Sequence, residues 1–223
     1  MFGNIIAASF TGPAGLSSWV ILLSAVVLVI PVVFFSGLVK KVWGYTLSLG
    51  LALLPLLVGL SGAVYSLYVS KNVLLEAPKS LYWKAKALGD YVSLSSVFFG
   101  AIPTLILWIL SLITFLIASR IRAGKEVEPP VFKEGKSPVF FLVSASFAFV
   151  PALAGMTGIY YGLILKAHAV INVPVKEREA VISGAEAVKN YSGVSGFTLT
   201  VLFIIVFRYI WKRSNTKEAL KQS

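Results

Sequence analysis

The chain has 223 residues, a formal net charge of +11 and a mean hydropathy of +0.87, and 57% of its residues are hydrophobic. This composition lies outside the range of soluble domains and excludes a fold whose whole surface faces water. Because the chain has no cysteine and only one histidine, His168, a disulfide framework, a thiolate metal site and a histidine-rich metal cluster are also excluded. We expect no metal and no cofactor.

Five segments without Asp, Glu, Lys or Arg follow one another along the chain, and each approaches or exceeds the roughly 20 residues that a helix needs to cross a bilayer. Continuous apolar runs favour helices over the alternating pattern of barrel strands. The sequence therefore predicts an all-α polytopic membrane helical bundle of about five transmembrane helices. The last segment is the shortest, and we expect its helix to begin earlier. The segments are residues 15–39, 42–70, 91–119, 137–165 and 190–207.

The basic residues flank the apolar segments, so the positive charge predicts membrane orientation and not a nucleic-acid partner. Twelve Lys and Arg residues fall on one side of the predicted membrane and eight on the other. The positive-inside rule then predicts a multi-pass protein of the cell membrane with its N-terminus outside and its C-terminus in the cytoplasm. Residues 1–18 carry no Lys or Arg, so we expect the first helix to stay as an anchor and not to be cleaved as a signal peptide.

An internal repeat covers most of the chain. Six residues recur at an offset of 96, and three more recur at an offset of 100 in the returning helix. A repeat of two spans predicts two helical hairpins that point the same way across the membrane. The first set pairs Pro55, Gly59, Gly62, Tyr65, Leu67 and Pro78 with Pro151, Gly155, Gly158, Tyr161, Leu163 and Pro174, and the second pairs Ala87, Tyr91 and Ser95 with Ala187, Tyr191 and Ser195.

This repeat defines five predicted regions. Residues 1–41 form an anchor helix, residues 42–122 the first channel-like hairpin and residues 137–213 the second. A charged linker with Pro129 and Pro130, residues 123–136, lies between them on the cytoplasmic side, where residues 214–223 form the tail. The segments 79–90 and 175–189 are predicted as short interfacial helices, with Tyr82 and Trp83 at the headgroup level.

Small residues lie about one helical turn apart in VGLSGAVYSL, residues 58–67, and in AGMTGIYYGL, residues 154–163. Such spacing allows two helix backbones to approach closely, and it also suits a stripe that faces a pore or a neighbouring subunit. The pattern makes four glycines candidates for helix packing or for lining a pore: Gly59, Gly62, Gly155 and Gly158.

PLLVGLSGAVYSL, residues 55–67, resembles the helix motif of the MotA/TolQ/ExbB proton channel family, which reads roughly P-L-L-G-L-L-G-T-V-x-G-L. FFGAIPTL, residues 98–105, resembles the family's F-V-A-I-P segment, and GAEAV, residues 184–188, resembles its G-I-A-E-A-L. The chain departs from the family pattern at Ala63 and Ile159, where the family has a threonine after the second glycine.

The resemblance implies a homo-oligomeric ring subunit that couples an ion gradient to work through a partner with a single span and an intramembrane aspartate. The family glutamate aligns with Glu186 in the second repeat, as a possible ion relay, and with Lys86 in the first. Hydroxyl side chains then become pore-lining candidates: Ser95, Ser96, Ser195, Thr198 and Thr200.

Other interpretations of these residues stay open. Glu186 is either an intramembrane functional group or half of a local pair with Lys189, and hydroxyls in helices often bond their own backbone. His168 is expected to be solvated. The chain shows no catalytic triad, paired catalytic carboxylates, P-loop or dinucleotide fingerprint, so we do not expect an enzyme. A non-conducting membrane scaffold or accessory subunit, and a small-solute transporter with parallel repeats, are the alternatives to the channel.

Overall fold

The computed structural model describes residues 15–37, 42–76, 78–123 and 138–222, and all the regular structure in these ranges is α-helical. The predicted all-α bundle is confirmed. Most of the predicted linker, residues 124–136, and the start of the predicted anchor, residues 1–14, lie outside the described residues. The helices in chain order are α1 (Gly15–Ser36), α2 (Val42–Ala52), α3 (Leu54–Glu76), α4 (Tyr82–Ala123), α5 (Pro138–Asn172) and α6 (Val175–Gln222).

Five stretches of the described helices are long and apolar enough to cross a membrane, so the chain is a multi-pass membrane protein, as predicted. Helices α2 and α3 together make one of these stretches, Trp43–Leu75. The last stretch begins at Val175, which confirms that the fifth helix starts before its uncharged core.

The break between α2 and α3 at Leu53 follows from Pro55, which has no backbone N–H and whose ring opposes the carbonyl one turn earlier. The first N–H groups of α3 then lack helical partners. One of them is satisfied across the bundle, because the Leu56 N–H donates to Thr104 Oγ1 of α4 at 3.0 Å. The break therefore ties α3 to α4.

Spans that follow one another in the chain run antiparallel. Helices α3 and α4 form the first hairpin, and α5 and α6 form the second. Helix α4 also packs against α5, where the rings of Tyr91 and His168 lie 6.4 Å apart and those of Trp108 and Phe149 lie 4.7 Å apart. Both hairpin turns therefore lie at one end of the bundle, which we call the turn end, and the prediction of two parallel hairpins is confirmed.

A layer of buried polar side chains joins α2, α4 and α5 toward the end of the bundle opposite the turn end. The Tyr45 hydroxyl donates to Ser146 Oγ at 3.0 Å, and the Trp108 indole N–H donates to the Ser146 carbonyl at 3.3 Å. The hydroxyls of Ser48 and Ser111 lie 2.6 Å apart. Since no water competes inside a bilayer, such interhelical bonds fix the register of the helices they join. We call these five residues the polar layer.

Helix α6 is the least covered helix of the bundle. Large apolar side chains on its outer faces are exposed, including Val194, Phe197, Leu202 and Ile205. Soluble monomers rarely expose a continuous apolar surface of this kind. In a multi-pass membrane protein this surface faces the interior of the membrane.

The two predicted interfacial helices are wrong as separate elements. Residues from Tyr82 onward belong to α4, and residues from Val175 onward belong to α6, with no interruption before the apolar core of either helix. The reason is local, because no proline or left-handed residue stands between the charged start and the apolar body. Tyr82 and Trp83 are exposed in the first turn of α4, where a headgroup region would lie.

Candidate functional site

In each hairpin, the two helices cross where a pair of glycines face each other. A Cβ on Gly59 would lie 2.5 Å from the Ser96 carbonyl oxygen and 3.1 Å from the Gly100 Cα. A Cβ on Gly155 would lie 2.8 Å from the Gly196 Cα. Real Cβ atoms do not approach backbone this closely, so both crossings require glycine, and the partner glycines of α4 and α6 are as necessary as those the sequence pattern singled out.

The remaining two candidate glycines also lie inside the hairpins. A Cβ on Gly158 would collide with the Ser192 side chain of α6. Gly62 lies on a groove between α3 and α4, together with Ser70 and Gly89. All four candidate glycines thus face the partner helix of their own hairpin or the groove beside it.

The two crossings correct the predicted register of the returning helices. Gly59 and Gly155 are separated by 96 residues, and so are their partners Gly100 and Gly196. The offset of 96 therefore holds in both helices of the repeat, and the predicted offset of 100 is one helical turn too long. With the structural offset, Ser96 corresponds to Ser192, Thr104 to Thr200 and Asp90 to Glu186.

This register changes which residue corresponds to the predicted ion relay. The counterpart of Glu186 in the first hairpin is Asp90, and not Lys86. Lys86 is exposed, and its Nζ lies 5.5 Å from the centre of the Trp83 ring in the first turns of α4. Sequence reasoning missed Asp90 although a constant offset would have found it.

Glu186 has a partner from the opposite helix. Lys166 Nζ of α5 donates to Glu186 Oε1 at 2.7 Å, and both side chains are 45% exposed. The structure shows this bond across the hairpin and, among the described residues, no ion pair with Lys189, the local partner that the sequence left open. Lys166 is the one charged side chain of α5. The carboxylate is held close to the turn end and not at the centre of the bundle.

The predicted pore-lining hydroxyls mostly bond their own helices. Ser96 Oγ donates to the Val92 carbonyl at 3.1 Å, Ser195 Oγ to the Ser192 carbonyl at 3.2 Å and Thr200 Oγ1 to the Gly196 carbonyl at 2.7 Å. The other two candidates differ from each other.

Ser95 Oγ is buried, and no hydrogen-bond partner for it exists among the described residues, whereas Thr198 is exposed on α6. Ser95 and Ser96 lie on α4 inside the bundle, and Ser195 and Thr198 lie on the uncovered side of α6. The structure therefore does not bring the candidates of the two hairpins together in one chain.

His168 is not the solvated side chain that was expected. Its ring lies against Tyr91 of α4, and its Nδ1 is buried without a hydrogen-bond partner in the described part of the chain. The sequence suggested solvation because His168 follows Lys166, but residues two apart on a helix point to different sides. Lys166 is exposed and reaches Glu186 of α6, whereas His168 packs against Tyr91 of α4.

A groove of about 560 Å³ opens to the surroundings of the bundle where the two hairpins meet. We call it the lateral groove. Its wall is mostly apolar, and its polar side chains are those of Asp90, Ser93, Tyr160 and Lys166. A site of this volume, with an apolar wall and few polar groups, fits the general properties of small-molecule sites between helices.

No protein-family model, curated protein or solved structure matches this chain.

Proposed function

We propose that this chain is an oligomer-forming membrane subunit of the MotA/TolQ/ExbB type, in which neighbouring chains and a single-span partner complete an ion path in the cell membrane. The proposal includes an N-terminus outside and a C-terminus in the cytoplasm. The observation that carries it is the duplicated hairpin, closed at the same position by Gly59 with Gly100 and by Gly155 with Gly196. The first glycine of each pair belongs to the motif that resembles the family.

The interior of one chain offers little for ions to follow. Among the described residues, Ser95 Oγ is the one buried hydroxyl without a hydrogen-bond partner, and the other buried hydroxyls bond within the chain. The ion pair of Lys166 and Glu186 lies near the turn end. Charges inside a membrane normally mark ion pathways. An ion path through this protein therefore needs groups from other chains, which agrees with an acidic partner helix.

The exposed apolar surface of α6 supports the oligomeric part of the proposal. Ser195 and Thr198 lie on this helix among large apolar side chains such as Phe197 and Leu202. A neighbouring subunit that packed there would place these two hydroxyls at the interface between chains.

The experiment that tests the proposal is purification of the intact complex from its native membrane, followed by measurement of its mass and of its components. A ring that contains a single-span protein with an intramembrane aspartate would support the proposal. Proton flux in vesicles would then be compared between the wild type, Glu186→Gln and the control Glu179→Gln, which removes an exposed carboxylate near the start of α6. We expect flux to fall in Glu186→Gln alone. A monomer without a partner would contradict the proposal.

A non-conducting scaffold is the second candidate, and the two positions that depart from the family favour it. Ala63 is buried, and the Ile159 side chain would be 3.3 Å from a Cβ on Gly193. Apolar packing thus occupies both places where the family has threonine. A complex of the same composition without ion flux would support this candidate.

A further inference from the structure

The lateral groove has a charged end and an apolar end. Asp90 and Lys166 lie near the turn end, whereas Leu60 of α3 and Val97 of α4 lie deeper along their helices. A ligand that matches this wall has a charged head at the turn end and an apolar body toward the centre of the bundle. The groove opens sideways, so such a ligand would enter from the membrane.

The carboxylate of Asp90 lacks the counterion that its equivalent has. Glu186 is paired with Lys166 across the second hairpin, whereas the position equivalent to Lys166 in the first hairpin is Ser70. Within the described residues, no side chain forms an ion pair or hydrogen bond with Asp90. A carboxylate in this setting favours a ligand that brings its own cation.

Lys166 lines the same charged end of the groove and can bind an anionic group. Its ammonium group has three donors, and one of them is used by Glu186. The same end of the groove is therefore lined by a carboxylate, which suits a cation, and by a lysine that keeps two N–H donors for an anion. A head that carries both charges a few bonds apart can contact both side chains.

We propose that the lateral groove binds a membrane phospholipid with an ethanolamine headgroup. The ammonium group of the lipid donates to Asp90, its phosphate accepts from Lys166, and an acyl chain lies along the apolar wall that includes Leu60, Val64 and Val97. Choline lipids lack an N–H to donate to Asp90, and glycerol lipids lack the cation. The site therefore prefers the ethanolamine headgroup over the choline and glycerol headgroups.

The depth of Asp90 agrees with this ligand. Trp83, exposed in the first turn of α4, is the type of side chain found at the headgroup level. Asp90 follows seven residues later, about 10 Å along the helix axis, on the hydrocarbon side of the headgroup level. A lipid head therefore reaches Asp90 by entering the groove, which opens sideways at this depth. The inference does not depend on ion conduction, because it concerns a groove within one chain.

The test uses the full-length protein, exchanged into a mixture of ethanolamine, choline and glycerol phospholipids with identical acyl chains. Native mass spectrometry then counts the lipids that remain bound. We expect the wild type to retain more of the ethanolamine lipid than of the choline lipid. In Asp90→Asn, the ratio of retained ethanolamine lipid to retained choline lipid should be about five-fold lower. Glu179→Gln, which removes a carboxylate outside the groove, should keep it.

A second variant tests the apolar wall. Val64 lines the groove and is 68% exposed, so Val64→Trp fills the groove without disturbing the packing inside the bundle. We expect it to lower retention of the ethanolamine lipid several-fold at an unchanged unfolding temperature. Three results would overturn the inference. The first is the same lipid preference in Asp90→Asn as in the wild type, and the second is stronger retention of the glycerol lipid than of the ethanolamine lipid. The third is thermal stabilisation by free ethanolamine equal to that by the ethanolamine lipid.

Discussion

Glycines make very close backbone contacts between the helices of each hairpin, so the addition of a single methyl group there should be destabilising. Gly155→Ala would place a Cβ 2.8 Å from the Gly196 Cα and 2.9 Å from the Ser192 carbonyl oxygen. Because backbone atoms cannot yield as a side chain does, we expect this change to lower the free energy of unfolding by about 1–3 kcal/mol. Unfolding in mixed micelles with increasing denaturing detergent would measure it.

The control is Gly184→Ala on α6, where a Cβ would meet nothing within 4 Å. Alanine is the better helix former, so this change should raise stability by about 0.5–1 kcal/mol. The geometry would be contradicted if both variants changed stability by the same amount.

Single residues also show what the sequence could and could not predict. Gly59 and Gly155 were recognisable as contact residues because their spacing has a direct steric meaning. Their partners were not, because one apolar helix can slide along another by a turn without changing its pattern. The same one-turn ambiguity paired Lys86, and not Asp90, with Glu186, and the packed hairpins decide between the two offsets.

At the scale of the helices, the polar layer joins elements that apolar packing alone would leave free to slide. Ser111→Ala removes the bond to Ser48, 2.6 Å away, although Ser48 still donates to the Val32 carbonyl of α1 at 3.0 Å. Interhelical hydrogen bonds in membranes contribute about 0.6 kcal/mol on average, so we expect a loss of that size.

Ser61→Ala is the matched control for this prediction, because the Ser61 hydroxyl is exposed and donates to the Leu57 carbonyl of its own helix. Its stability in the same unfolding assay should stay within error of the wild type. Equal losses in the two serine variants would show that the bond between Ser48 and Ser111 does not join the helices.

The spans were predictable as elements, whereas the ends of their helices were not. An uncharged run marks the part of a helix that crosses the membrane, and five such runs became five spans. A helix does not stop where the lipid stops, however. Residues from Tyr82 and from Val175 continue α4 and α6 outside the apolar core because their charged side chains are good helix formers.

For the whole molecule, the arrangement predicts a pattern of chemical labelling. The chain has no cysteine, so single cysteines can be introduced without a background. Ser80→Cys and Glu177→Cys lie at the two hairpin turns, and Arg120→Cys lies near the far end of α4. A maleimide that cannot cross the membrane should label the first two from one side and the third from the other. Labelling of Ser80→Cys and Glu177→Cys from opposite sides would exclude parallel hairpins.

The two copies of the hairpin have unequal surroundings, and this inequality limits how the chain can vary. Ala101 of α4 is completely buried, whereas Phe197, its equivalent on α6, is 73% exposed; Trp108 and Ile204 differ in the same sense. Substitutions at equivalent positions therefore affect a closely packed interior in the first hairpin and an exposed surface in the second. We therefore expect the sequence of the first hairpin to change slowly in evolution and that of the second to change faster. The similarity between the two copies should then be lost mainly through substitutions in the second hairpin.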